Sequence, residues 1–373
     1  MAGGAAPATT APSVHGNAGE IQEPVLWRHK PLDLARHGAR RHVVRHEQEQ
    51  GVVDVLFVCL LDQRQLPLGV ELGANAVTDL ARLSGGASRE TWSFKADDRP
   101  LILQRQRKGD IRDMGVEARV VQAAFTAGVP VPELIANGSG DIGLAFMILS
   151  HIEGETIARK ILRDEQFADA RTKLVAQSAH ALAALHSIDA STITGLPSID
   201  QVQQYRETLD NLNQALGQAH PTFELAFRWL ERNRPTSTRT ALVHGDFRLG
   251  NLMVGPDGLR AVLDWELAHI GDPIEDLGWL CVRAWRFGAS QPVAGLGDYD
   301  TLISEYEKAS GLKVDREVVR WWEVLGTLKW GIMCMIQTSS HVLGMSRSHE
   351  LAAIGRRVCE NEYDLFVALD GKW

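Results

Sequence analysis

Cysteine is scarce in this sequence, and the four present, Cys59, Cys281, Cys334 and Cys359, are scattered. No two stand at metal-ligand spacing, which argues against a zinc site or a disulfide framework and for reduced, mostly buried thiols. An excess of base is also missing. There are 39 Lys and Arg against 47 Asp and Glu, a formal net charge of −8. Nucleic acid therefore finds no electrostatic footprint here. Long apolar runs are missing too. The longest, Val55 to Leu61, falls far short of the roughly 20 residues that span a bilayer. The first ten residues carry no basic side chain, unlike a secretory signal or an organelle transit peptide. The expectation is a cytoplasmic protein with no membrane or nucleic-acid partner.

What is present is an ordinary globular composition, 45% hydrophobic and 23% charged over 373 residues, enough for a bilobal unit with a sizeable core. Residues 1–20 are small and polar and are expected to be disordered. Residues 21–75 form an extension whose order the pattern leaves open, and the basic run within it, Leu34 to Gln50, reads as a solvated face rather than an anion-binding arm. From Val77 the pattern becomes regular. Thr78–Leu83, Thr91–Lys95, Leu101–Arg105 and Gly143–Ile152 read as strands, with a polar turn at Asp97-Asp98. Glu117–Ala127 reads as a helix closed by Gly128 and a Pro130/Pro132 breaker. Residues 76–150 thus make a small sheet with one helix. Residues 151–373 read as a larger helical lobe. Asp164 is the expected N-cap of a long amphipathic helix, and further helices are expected at 201–217, 222–233, 273–286, 300–309 and 315–338. A hairpin lies among them, Leu252–Val254 and Leu259–Leu263 about the turn Gly255-Pro256-Asp257-Gly258. The fold class is α+β.

Chemistry concentrates in His244-Gly245-Asp246-Phe247-Arg248-Leu249-Gly250-Asn251 and Val262-Leu263-Asp264-Trp265-Glu266. Asp246 follows an apolar run, Asn251 opens the hairpin, and Asp264 ends its second strand. The hairpin therefore brings all three side chains to one end of a compact unit. Phosphoryl transfer from a nucleotide needs such a set. Magnesium takes hard oxygen ligands, which an Asn carbonyl and an Asp carboxylate supply. A separate carboxylate must orient the attacking hydroxyl and accept its proton. Asp246 is the expected base, and Asn251 and Asp264 the expected metal ligands.

These motifs resemble the catalytic core of the aminoglycoside phosphotransferase and choline kinase superfamily, and the stretch HGDFRLGNLMV…AVLDWELAHIGDPIEDLGWL is similar to the kinase-like domains fused to some acyl-CoA dehydrogenases. The resemblance covers about residues 77–365. It implies a bilobal, protein-kinase-like fold with ATP (or GTP) and Mg2+ as cofactors and a small hydroxylated molecule as partner. It further implies that Ser84, Gly85, Gly86, Ala87 and Ser88 form the turn covering the phosphates. Glu117 then corresponds to the helix glutamate that pairs with a basic residue on the third strand. That strand reads Leu101-Ile102-Leu103-Gln104-Arg105, and alternation puts Gln104 and Arg105 on opposite faces. Arg105 is the candidate for the phosphates, with Gln104 the other possibility. Met147–Glu153 corresponds to the connection between lobes, where Ser150 and Ile152 would meet the base. Arg248 would offset phosphate charge or touch the acceptor. Asp276 and His186 read as architectural. The dehydrogenase-fused relatives imply a hydroxylated acid or acyl thioester as acceptor.

Three other readings compete. A protein kinase needs a long segment after the metal-binding Asp to dock a peptide, whereas Asp264 runs almost directly into Asp272-Pro273. A catalytically impaired nucleotide-binding module finds its only support in Gln104. A metal hydrolase built from His244, Asp246, Asp264 and His269 leaves Asn251 and the glycine-rich turn unexplained.

Overall fold

The computed structural model describes residues 72–83, 89–107, 110, 112–139, 144–236 and 239–371. The tail 1–20, the extension 21–75 apart from residues 72–75, and Ser84–Ser88 lie outside the described residues.

The first part of the chain is an antiparallel sheet built on alternation. Strands β1 (Val77–Leu83), β2 (Arg89–Ala96) and β3 (Arg99–Gln106) are followed by helix α1 (Met114–Thr126), then β4 (Leu134–Gly138) and β5 (Phe146–Ser150). The spatial order is β1-β2-β3-β5-β4. The expected turn Asp97-Asp98 joins β2 to β3 with both residues at positive φ, 46° and 66°, the geometry a twisted two-residue hairpin requires. Trp92, Phe94, Leu101, Leu103, Phe146 and Ile148 pack on one face as a small core. Ile102, Met147 and Leu149 on the other face join the main core with α1. The same alternation sorts the polar residues. Arg89 pairs across the strands with Gln106, Glu90 with Arg105, and Thr91 with Gln104. Arg89, Gln104 and Gln106 therefore lie on the α1 side, and Glu90 and Arg105 on the small-core side.

Helix α1 starts a turn earlier than its apolar pattern implied, because Asp113 caps it by accepting from the Gly115 amide at 2.8 Å. Strand β4 was not expected. It follows the Pro130/Pro132 breaker and is held by pairing with β5 rather than by a pattern of its own. The strand read as Gly143–Ile152 is shorter, Phe146–Ser150.

The remaining chain is mainly helical: α2 (Ala158–Arg163), α3 (Ala168–His186), α4 (Gln201–Leu216), α5 (Pro221–Arg232), β6 (Ala241–Val243), β7 (Leu252–Gly255), β8 (Gly258–Val262), β9 (His269–Gly271), α6 (Ile274–Cys281), α7 (Tyr299–Ser310), α8 (Arg316–Val342), α9 (His349–Ile354) and α10 (Arg357–Leu369). Asp164 does not cap the long helix. It ends α2, and a short 3₁₀ turn, Glu165–Phe167, precedes α3. Helix α3 packs against α7 and β8, and α8 runs beneath α6. The β7–β8 hairpin forms about the expected turn, but β8 ends at Val262, so Asp264 lies two residues past the strand rather than ending it. The pair β6–β9 was not foreseen, since each strand is only three residues long. It clamps the entrance to the loop that carries Asp246 against the exit from the loop that carries Asp264. This arrangement, a small antiparallel sheet ahead of a larger helical part, is the α+β bilobal fold that the motifs implied. Among the described residues no helix is long and apolar enough to cross a membrane.

Candidate active site

Strand β6 delivers the chain into the loop 244–251, and buried groups fix that loop from below. His244 is fully buried. Its Nδ1 accepts from the Asp246 amide at 3.2 Å, so its proton sits on Nε2, which donates to the Leu263 carbonyl at 3.0 Å. Burial holds its pKa below the ordinary histidine value. A neutral imidazole thus ties the loop to the residue preceding Asp264. Gly245 has φ +79°, and a Cβ there would lie 2.5 Å from the Leu267 carbonyl oxygen. Only glycine fits that close approach.

Asp276, in the first turn of α6, accepts from the amides of His244 at 2.8 Å and Gly245 at 2.9 Å. His186 bonds to it at 3.1 Å and is held on its other nitrogen by the Tyr306 hydroxyl at 2.9 Å. Burial opposes the Asp276 charge, but the bond and field of His186 and the field and amide of His244 outweigh it, leaving its pKa below the ordinary value. From α8, the buried Lys329 ammonium donates to the Gly245 carbonyl at 2.9 Å and to Glu275 at 3.3 Å.

Asp246 itself is held by three neighbours. Trp279 Nε1 donates to Oδ1 at 2.8 Å. Arg248 Nε reaches Oδ1 at 3.0 Å and Oδ2 at 3.2 Å, with its guanidinium 5.0 Å from the centre of the Trp285 ring. Asn251 Nδ2 donates to Oδ2 at 2.6 Å and to the Asp246 carbonyl at 3.0 Å. With its nitrogen engaged there, Asn251 keeps its amide oxygen for another partner. The Leu263 amide donates to the Asn251 carbonyl at 2.8 Å, which brings Asp264 to the same end of the hairpin. Asp264 adopts a left-handed φ of +64°, uncommon for a non-glycine residue. Burial pushes its pKa up to about 7, and the fields of Glu266, Asp246 and Glu117 add to the shift. Carboxylates so crowded favour a cation among them. Among the described residues no three or more His, Cys, Asp or Glu gather as a metal site.

The small lobe departs from expectation at one point. Arg105 is engaged on the small-core face, its Nε and Nη2 donating to Glu90 at 3.1 and 2.6 Å. Glu117 pairs instead with Arg89, and both are buried. The reason is parity: residues 101, 103 and 105 share one face, and α1 packs on the other. Burial raises the Glu117 pKa to about 7, with Arg89 opposing and Glu266 adding to the shift. Glu266 in turn pairs with Arg112 at 2.6 Å. Ser150 ends β5, its hydroxyl accepting from the Glu133 amide at 2.9 Å. Ile152 is half-buried in the connection beyond it. Glu155 and Val254 exchange backbone bonds at 2.9 and 3.0 Å, tying that connection to the hairpin of Asn251.

Sequence reasoning missed Arg89, Trp279 and Lys329. A lysine within the apolar stretch Leu328 to Met335 was a visible signal, whereas nothing in the pattern marks Trp279. His269 does not join Asp246. It is bound by Glu275 at 3.1 Å, Gln201 at 3.2 Å and the Leu267 carbonyl at 2.9 Å, which removes a ligand from the hydrolase reading.

The chain is 30% identical over 236 residues to acyl-CoA dehydrogenase family member 10 of Mus musculus, covering 60% of this chain and 22% of that protein. It is 26% identical over 354 residues to acyl-CoA dehydrogenase family member 11 of Gallus gallus, covering 86% of this chain and 44% of that protein. The chain therefore spans less than half the length of either relative. The crystal structure of a choline/ethanolamine kinase family protein from Mesorhizobium loti shares the fold, with TM-score 0.57 and 18% identity over 82% of this chain and 95% of that one. The sequence model of the phosphotransferase enzyme family matches residues 79–322, a span that holds all but the first two residues of the sheet, the loop of Asp246, and the β7–β8 hairpin with Asp264 just beyond it, and the chain belongs to that family.

Proposed function

We propose that this chain is a small-molecule kinase that transfers the terminal phosphoryl group of ATP, or GTP, to a hydroxyl. The observation that carries the reading is the convergence of Asp246, Asn251 and Asp264 on one hairpin end, with α6 following at once and no long segment to dock a peptide. Asp246 orients the acceptor hydroxyl and takes its proton as the new O–P bond forms and the bond to the leaving diphosphate breaks. Arg248, lying against both Asp246 and the Trp285 ring, sits where the transferred group carries negative charge. Asn251 Oδ1 and the Asp264 carboxylate would hold magnesium. When bound, the ion offsets charge on the phosphate oxygens. The glycine-containing segment Ser84–Ser88 would cover the phosphates, and Ser150 and Ile152 would border the base. No covalent enzyme intermediate is needed.

For the acceptor we propose a hydroxylated acid or its acyl thioester. The names of the dehydrogenase relatives support this, as does a guanidinium rather than a further carboxylate beside Asp246.

The test is thermal unfolding of the wild type and Asp264→Ala, with and without Mg-ATP, followed by an acceptor panel. A ligand at about a hundred times its dissociation constant stabilises a fold by roughly 2.7 kcal/mol. A magnesium-dependent shift present only in the wild type, with turnover of a hydroxy acid or hydroxyacyl thioester, is expected. Absence of any shift with ATP or GTP defeats the kinase reading. Turnover confined to aminoglycosides defeats the acceptor assignment alone.

A further inference from the structure

The family-like arrangement calls for a cation on the α1 side of the sheet, near the phosphates, and β3 does not supply one. Gln104 faces that side and is neutral, while Arg105 points to the other face and is bound by Glu90. The side chain that fills the position comes from the neighbouring strand. Arg89 opens β2 and shares the face of Thr91, Gln104 and Gln106. It is only 7% exposed, as is its partner Glu117.

Two details point past the ion pair. First, Arg89 uses Nη2 to hold Glu117, while its Nη1 is buried and has no hydrogen-bond partner. A buried donor on a charged group is rarely left unmet in a native structure, so an acceptor is called for. Second, the pair belongs to the charge cluster at the metal-ligand end of the cleft. Glu117 lies within the field of Asp264 and of Glu266, two residues beyond it. Arg112, which also lies within the field of Glu117, is already taken by Glu266 and Asp110 at 2.6 and 2.7 Å. Arg89 is thus a planar fork with one prong in a carboxylate and the other open.

We propose that Arg89, positioned by Glu117, binds the non-transferred phosphates of the nucleotide, replacing a basic side chain on β3 with one from β2. The guanidinium geometry suits the task, since separate N–H groups can serve a carboxylate and a phosphate oxygen together. The assignment rests on the nucleotide site proposed above.

The experiment is calorimetric titration of Mg-ATP and Mg-ADP into the wild type, Arg89→Gln/Glu117→Gln, Arg89→Lys and Arg105→Gln. The double variant removes the ion pair without leaving a lone buried carboxylate. It is expected to unfold cooperatively and to bind both nucleotides about tenfold to a hundredfold more weakly, the loss of one charge-assisted hydrogen bond. Arg89→Lys keeps a charge beside Glu117 but loses the fork, and a loss of about fivefold or more is expected. Arg105→Gln should bind as the wild type does. Wild-type affinity in the folded double variant or in Arg89→Lys overturns the proposal, and so does a loss confined to Arg105→Gln. A wild type that binds neither Mg-ATP nor, titrated in the same way, Mg-GTP overturns the kinase reading itself, a result distinct from these.

Discussion

Trp279 donates its indole N–H to Oδ1 of Asp246 at 2.8 Å, from a ring 2% exposed and 5.2 Å from Trp285 centre to centre. The bond fixes the carboxylate's plane. Trp279→Phe keeps an aromatic ring in place and removes the donor. Hydrogen bonds to charged groups contribute about 1.5–3 kcal/mol, so kcat should fall roughly tenfold or more, with nucleotide KM near the wild-type value. A raised nucleotide KM at unchanged kcat would show that Trp279 acts on the cleft rather than on Asp246.

Asp246 and Asp264 should separate cleanly in binding and turnover. Asp246→Ala removes the proton acceptor but leaves the Asn251 oxygen and Asp264 in place. Turnover should drop by about 10²–10⁴, the usual share of general-base catalysis, while Mg-ATP still raises the unfolding temperature. Asp264→Ala should lose that magnesium-dependent rise. Equal nucleotide stabilisation in both variants would sink the division of roles.

Lys329 tests the support beneath the loop. Its ammonium is buried between the Gly245 carbonyl, Glu275 and the Trp279 ring, whose centroid is 4.5 Å away. Burial disfavours its charge, but Tyr205, Glu275 and Asp246 together hold its pKa above the ordinary lysine value. Breaking a buried pair typically costs about 3–5 kcal/mol. Lys329→Met should approach the lower figure, because His269 still reaches Glu275. Denaturant unfolding reads this directly, and a variant as stable as wild type would mean that the ammonium does not brace the loop.

The parts legible in the sequence were those that obey a period or a spacing. The alternation of Trp92, Phe94, Leu101 and Leu103 places β2 and β3, and the hairpin turn brings Asn251 to the end of the hairpin that Asp264 follows. What was not legible depends on contacts between residues far apart in the chain. Glu117 and Arg89 are 28 residues apart, and Trp279 and Asp246 are 33 apart. No local pattern encodes either meeting. The choice between Gln104 and Arg105 was within reach, because Leu101 and Leu103 share parity with Arg105. What the sequence withheld was which face α1 covers. The β6–β9 pair was lost because three residues are too few for a period to declare itself, and β4, Leu134–Gly138, because it carries no pattern of its own.

The last prediction concerns pH and the neutral state of His244. Burial holds its folded pKa below the ordinary value of 6.5. The unfolded chain therefore takes up a proton that the native chain refuses. Stability from this group is full above about pH 6.5 and falls as pH drops below it, by up to about 1.36 kcal/mol per pH unit. Other buried groups act in the opposite sense. His269 has a raised pKa, and Glu117 and Glu323 are pushed up to about 7. Each of these contributes stability at low pH that is lost as pH rises through its folded value. The wild-type profile between pH 5.5 and 7.5 mixes the two signs, so its slope alone identifies nothing. The difference between wild type and His244→Gln does, because glutamine cannot titrate while its amide can still reach the Leu263 carbonyl. The variant should be less stable than wild type at pH 7.5, where the imidazole bridges the Asp246 amide and Leu263. That gap should narrow at pH 5.5, where the wild type bears the cost of keeping His244 unprotonated. A gap that stays constant across the range would mean that the imidazole titrates alike in the folded and unfolded chains. Burial and the bond that Nδ1 accepts from the Asp246 amide would then not be what keeps the imidazole neutral in the folded loop.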